Sequence, residues 1–377
     1  MNRKLSVVTE LVPFVFFGSI FLTGAAFGQV NSWTNTANGS WKWEDSSKWS
    51  LGVPPSINQS RIFITNAVGT IPRTKNVVID ATTVAGFSST MAISNLTVSA
   101  PSSLIRNNVI LTNTGTASLH VLDVLLVQPN GGLIVSNSSV INNFLFDVES
   151  NVQFINANVT VSGLGAFLGI GDSGGAGTLT ITGGKLDTTD GFVTVGSDGD
   201  AQMTISNGIW NGGLEVFVGG EGADGTLTMM DSTCTLDYSL EIGPGGPGTG
   251  AVWLNGGTLT TTNDLGTNFF AVIVGEEVTG QMTVSNGTWR TSGVEVGGDL
   301  PFPEDTTGTL TFAGGTNIIG SSGLYIGNQR AITGSVGYVW ITGGQVISTN
   351  HTTVLGTRGY GTLIQSNGTV QLLGEDI

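Results

Sequence analysis

Short apolar runs alternate with Thr, Ser, Asn and Gly along most of the chain. From residue 166 onward the alternation has a fixed grammar. An aliphatic residue followed by Gly recurs at Ile170-Gly171, Val195-Gly196, Val218-Gly219, Ile242-Gly243, Val274-Gly275, Val296-Gly297, Ile326-Gly327 and Leu355-Gly356. A Gly-rich or acidic turn follows each pair, then a phrase such as "GTLTI", "AQMTI", "GAVWL" or "GQMTV". A turn, usually Gly-Gly or Asn-Gly, leads to a third short apolar segment. The central apolar residues of the second segment are Leu179, Met203, Leu227, Val252, Met282, Leu310, Val339 and Leu363, spaced by 24, 24, 25, 30, 28, 29 and 24 residues. Period-2 alternation bounded by turn residues predicts strands. No single unit can bury its apolar side alone, so the repeat predicts stacking.

The predicted fold is therefore all-β: a single-stranded parallel β-helix, right-handed by default, with three short strands per coil of about 24 residues. In the second strand Leu179 and Ile181 point inward and Thr180 outward. The outward column is then Thr180, Thr204, Thr228, Trp253, Thr283, Thr311, Trp340 and Ile364. The third strand gives an inward column of Leu186, Trp210, Cys234, Leu259, Trp289, Asn317, Val346 and Val370. Asn317 is the misfit, and a bulge that turns Ile318 inward would remove it. Residues 61–165 read as earlier, less regular coils. Residues 29–60 hold Trp33, Trp41, Trp43 and Trp49 and read as a cap over the N-terminal end of the core. The longer loops are expected at 261–269, 300–307 and 330–335.

Residues 1–28 read as an export signal. Arg3 and Lys4 precede the apolar run 11–27, and Ala26 and Gly28 are placed for cleavage before Gln29. No later run is long enough to span a bilayer. The chain ends at "LLGEDI", within a coil, which predicts continuation or a capping chain. Only 10% of residues are charged, and the formal net charge is −15. Twelve scattered Lys and Arg argue against a nucleic-acid partner, which needs clustered cations. Cys234 is the single cysteine, so no intrachain disulfide forms.

The stretch "WTNTANGSWKWEDSSKWSLGVPP" (33–55), the following "NVVID", and the "VG…GTLTITGG" coils resemble autotransporter-passenger-like β-helix proteins of Gram-negative bacteria with the autotransporter-associated β-strand repeat. That resemblance implies an exported, surface-located rod with a structural or adhesive role. Surface glycans or other surface proteins would be its partners.

Candidate chemistry is sparse. His120 and His351 lack partners at metal or triad spacing. Cys234 falls in the inward column. The turns after the aliphatic-Gly pairs carry Asp172, Asp198, Glu221, Glu276, Glu277 and Asp299. Stacked, these make an acidic stripe that is either solvated or a set of weak Ca²⁺ sites, Ca²⁺ being the one cofactor considered. A polysaccharide lyase or hydrolase could draw its acids from the same stripe, but the cations beside it are few: Lys185, Arg290, Arg330 and Arg358. Trp253 and Trp340, outward on one column three coils apart, are the ligand-contact candidates, because an exposed indole stacks on a sugar ring. The reading is of a non-catalytic rod. The alternatives are a polysaccharide-active enzyme and a calcium-stabilised carbohydrate-binding module.

Overall fold

The computed structural model describes residues 28–66, 72–263, 270–298, 306–327, 335–349, 353–356 and 359–373. Residues 1–27, Asp299, His351, Arg330, Arg358 and most of the expected loop residues lie outside this set.

The chain is a parallel β-solenoid. Every strand-to-strand pairing among the described residues is parallel, and each strand pairs with its counterparts one coil before and one coil after. Three faces result. Face 1 runs from Gln29–Ser32 and Gln59–Ile64 through Leu145–Val148, Ala166–Ile170 and Val216–Val218 to Thr353–Leu355. Face 2 runs from Gly39–Lys42 and Arg73–Ile79 through Ala201–Ser206 to Val336–Ile341 and Tyr360–Gln365. Face 3 runs from Ala92–Ile93 through Ile209–Gly212 to Gln345–Ser348 and Thr369–Leu372. The irregular stretch 61–165 uses the same three faces. Its inward residues Val77, Val109, Leu133 and Val152 lead in register to Leu179.

The columns fall as the alternation predicts. Leu179 through Val339 are buried, and Leu363 in the last described coil is partly buried. Thr180, Thr204, Thr228, Trp253, Thr283, Thr311, Trp340 and Ile364 pair one to the next on the outside of face 2. The inward column of face 3 is also in register from Leu186 to Val370. The bulge at Ile318 does not form: Asn317 itself points inward and is fully buried. Its Nδ2 donates to the carbonyls of Gly314 and Gln345, each at 3.2 Å, so the amide replaces core contacts with backbone hydrogen bonds.

Glycine content follows from the corners. Every Gly of the eight aliphatic-Gly pairs has a positive φ, between 65° and 85°, a region that side-chain-bearing residues rarely adopt. The Gly that opens each face 2 phrase answers to a different constraint. At Gly225 a Cβ would lie 1.9 Å from the carbonyl oxygen of Val195, which ends face 1 in the preceding coil. Gly131, Gly177, Gly250, Gly280, Gly308, Gly337 and Gly361 meet the equivalent oxygen at 2.0–2.3 Å. The corner between faces 2 and 3 holds a left-handed column too: Asn113, Asn137, Asn156, Gly183, Asn207, Asp231 and Gly256 all have φ between 47° and 93°. The near-identical phrases "AQMTISNGIW" and "GQMTVSNGTW" differ here. Asn207 is left-handed in the first, whereas Gly287 is left-handed in the second (φ 88°). The register slips between Asn255 and Thr258, so the left-handed column moves one residue along and continues through Gly315, Gly344 and Gly368.

At the N-terminal end Trp33, Trp43 and Trp49 are buried and pack edge to face, with ring centroids 5.0 and 5.2 Å apart. Two of their N–H groups find carbonyls: Trp49 Nε1 donates to Trp43 O at 2.8 Å and Trp43 Nε1 to Thr90 O at 3.2 Å. Trp41 is partly buried, with the Lys48 ammonium 5.0 Å from its ring centre. This cap segment is also a coil in its own right, because Gln29–Ser32 and Gly39–Lys42 pair in parallel with the next coil. A short helix, Ala81–Phe87, stands beside it, N-capped by Asp80.

The buried Trp residues of face 3 are tied to the preceding coil. Trp210 Nε1 donates to Thr188 Oγ1 at 3.1 Å, and Trp289 Nε1 to Thr261 Oγ1 at 3.4 Å.

Two stability measurements check these assignments. Gly225→Ala should lower unfolding free energy by about 1–3 kcal/mol or more, since backbone must move to admit the methyl. Gly86→Ala, in the helix and with nothing within 4 Å, should be neutral or stabilising by up to about 1 kcal/mol. Equal denaturation midpoints for the two variants would remove the close-approach argument. Thr188→Val should cost about 1–3 kcal/mol by orphaning the buried Trp210 N–H, whereas Thr188→Ser should recover most of it in the same melts.

Candidate functional site

The acidic turns do not stack as one even stripe. Asp198 and Glu221 are exposed, Glu277 is half-buried and Glu276 is buried. Asp172 folds back onto face 1. It can do so because Gly169 occupies the outward position beneath it. A Cβ on Gly169 would lie 2.8 Å from Asp172 Cβ, so the carboxylate fills the space of the missing side chain. This places it next to Asp147, the outward residue of the preceding coil. Glu149 lies against Gly175 in the same way. The sequence reading missed Asp147 and Glu149. The one available signal was the pair of carboxylates in "FDVES", in a coil with no Gly after its aliphatic residue.

Hydroxyl groups partly satisfy this cluster. Ser173 Oγ donates to Asp147 Oδ2 at 3.0 Å, and Thr194 Oγ1 donates to Asp172 Oδ1 at 3.2 Å. Asp147 is only 5% exposed, and its Oδ1 is buried without a hydrogen-bond partner. Burial first, then the charge of Glu149, raises the Asp147 pKa to about 6. Burial, then Asp147, raises Asp172 to about 6, with Asp198 and Glu221 adding to the effect. Burial also raises Glu149. Farther along face 1, Glu215 is raised to about 7 by burial and by Glu241, whose Oε1 accepts from Ser239 Oγ at 2.8 Å.

The chemistry open to these groups is narrow. Among the described residues, no group of three or more His, Cys, Asp or Glu side chains is arranged to hold a metal ion. Glycoside hydrolysis needs two carboxyl groups that both reach the scissile bond. Asp147 is closed to a polysaccharide chain by its own burial. His120 points outward and its Nε2 lies 3.1 Å from Asn143 Oδ1. Cys234 is buried in the core, and burial pushes its thiol up to about 11, which keeps it an unreactive thiol.

Trp253 and Trp340 are exposed, at 44% and 38%. They stand on one outward column of face 2, separated by Thr283 and Thr311, hence about 14 Å apart at about 4.8 Å per coil. Tyr338, two residues before Trp340, shares its side of the strand and is half-buried. The sequence reading placed both Trp residues and left Tyr338 out. Together they form a flat ledge of two neighbouring aromatics with a third along the rod, bedded in Thr.

No protein-family model, curated protein or solved structure matches the chain.

The carboxyl cluster makes stability depend on pH with a definite sign. An unfolded Asp ionises near 3.8, whereas folded Asp147 and Asp172 hold their protons to about 6. Between those values the folded state binds more protons, so stability falls as pH rises. Glu215 extends the fall from 4.5 toward about 7. Asp172→Asn should flatten this decline and melt at a higher temperature than the parent at pH 8, with little difference at pH 4. Parallel melting curves for the two proteins from pH 4 to 8 would contradict the placement of Asp172.

Proposed function

We propose that this chain is a non-catalytic β-solenoid rod, exported by residues 1–28, with a structural or adhesive role at the cell surface. The observation that carries the reading is the outward column of face 2. It is a continuous, flat ladder of Thr interrupted by half-exposed Trp253 and Trp340. Aromatic faces offer a large contact area at low conformational cost, and the rigid parallel ladder fixes their spacing. The resemblance of the N-terminal stretch and the "GTLT" coils to autotransporter-passenger-like proteins supports export and surface display. Surface glycans, or proteins that carry them, are the partners this ledge would suit.

The test is retention of the purified chain on insoluble neutral polysaccharides and on whole cell envelopes. The double variant Trp253→Ala/Trp340→Ala should lose at least about 10-fold in retention, in line with the loss of two stacking contacts of about 1 kcal/mol or more each. Its melting temperature should stay near that of the parent, because both rings are outside the core. Unchanged retention would discard the ledge as the contact surface. Reducing-end or unsaturated products released from the same polysaccharides would replace the rod with a polysaccharide-active enzyme.

A further inference from the structure

The later strands of face 3 carry almost no charge. The whole chain carries 27 acidic and 12 basic residues. Yet from Ile209 to Gln371 the two outward columns of face 3 consist of Thr, Asn, Gln and Ile with a single charged residue, Arg290. The described lysines that form ion pairs, Lys42 and Lys185, are bound to Asp80 and Asp187. Arg290 is exposed and makes no ion pair or hydrogen bond among the described residues. A guanidinium unpaired among the described residues, on strands that carry no carboxylate from Ile209 onward, is positioned for an anion from outside.

Arg290 also borders a built recess. Where face 3 turns into face 1 the register slips: Thr291 pairs with Ile319, but Gly293 pairs with Gly323. Ser292 alone therefore faces the three residues 320–322. The recess has a volume of about 260 Å³ and is lined by Thr260, Thr262, Arg290, Ser292, Ile318 and Ser321, among others. The Ser292 Oγ is buried and has no hydrogen-bond partner. Thr260 and Ile318 are the neighbours of Arg290 on the coils before and after.

We propose that this recess is a subsite for one uronate residue of an acidic polysaccharide. The volume lies just below the usual range of about 300–1,000 Å³ for pockets that take a whole small-molecule ligand, and so suits a single sugar ring. The planar guanidinium pairs with a carboxylate through two parallel hydrogen bonds. The surface of the recess is mainly apolar, and Ile318 with the Thr methyls offers it to the ring C–H face, leaving the Arg290 guanidinium as the polar contact. This assignment is independent of the aromatic ledge, which lies on face 2.

The test is calorimetric titration of the full chain with trigalacturonate, with its methyl ester, with a sulfated neutral trisaccharide and with inorganic sulfate. Trigalacturonate should bind at one site per chain, and the methyl ester at least 10-fold more weakly. Arg290→Gln should weaken trigalacturonate at least 10-fold without changing the melting temperature. Arg290→Lys should fall between the two, because an ammonium cannot form the paired bonds. The Trp253→Ala/Trp340→Ala variant should bind trigalacturonate as the parent does. Any of four results would overturn the proposal: no binding, equal binding of acid and ester, an unaffected Arg290→Gln variant, or inorganic sulfate or the sulfated sugar binding as well as trigalacturonate. The last of these would leave a general anion site in place of a uronate subsite.

Discussion

Each coil passes through a corner at which main chain touches main chain. Where face 1 hands over to face 2, the Gly opening the next strand sits against the last face 1 carbonyl of the coil before. At Gly225 the gap would leave a Cβ only 1.9 Å from Val195 O. The preceding Gly219 meanwhile takes a φ of 74° and donates its N–H to that same carbonyl at 2.8 Å. The contact closes the cross-section and sets the stacking register in one stroke. It also accounts for much of a composition of 58 Gly in 377 residues: most of the regular coils use one glycine for its dihedral angle and another for its absent side chain. Once register is set there, each inward residue lands on its counterpart, and a core with no disulfide is held by packing and by a continuous ladder of backbone hydrogen bonds.

Several of the polar groups in this core are answered by the backbone or by a side chain of a neighbouring coil. Trp210 and Trp289 find Thr hydroxyls one coil back, and Asn317 finds two carbonyls. In the early coils Lys75 Nζ donates to Asn66 Oδ1 at 2.7 Å, and burial together with Arg73 lowers its pKa. The pairings of Trp210, Trp289 and Asn317 with the adjacent coil run along the rod axis, as the strand ladders do. A substitution in one coil is therefore felt first by its two neighbours, as expected for a quasi-one-dimensional fold.

The columns were legible in the sequence because their period is set by backbone geometry. A Thr-Leu-Thr phrase allows only one way of facing the core. The corners were legible in kind but not in detail. "SNG" at 206–208 and at 285–287 reads identically, yet the left-handed residue is Asn207 in one and Gly287 in the other. The difference comes from the coil above, where the register slips at 255–258, and no local reading contains that. The carboxyl cluster was half legible for a related reason. Asp172 was found by its place after Gly171. Its return over Gly169 and its meeting with Asp147 depend on two coils at once. Arg290 was noted as one of few cations. Its isolation became visible only when the face 3 columns were assembled.

The three faces divide the surface by chemistry, and the division has a physical logic. Face 1 carries carboxyl groups whose pKa is raised by burial, at Asp147, Asp172 and Glu215. Asp147 is buried, and Asp172 and Glu215 are half-buried. Face 2 presents aromatic area on an uncharged Thr bed. From Ile209 onward face 3 keeps carboxylates off its strands and exposes one guanidinium. In a chain of net charge −15, an acidic glycan is repelled almost everywhere by the long-range field. Within about 10 Å, the screening length near 0.1 M salt, local charges decide. Face 3 is where that local environment turns favourable, so the acid-free columns matter as much as Arg290: an arginine flanked by carboxylates on adjacent coils, about 4.8 Å away, would pair internally and recognise nothing.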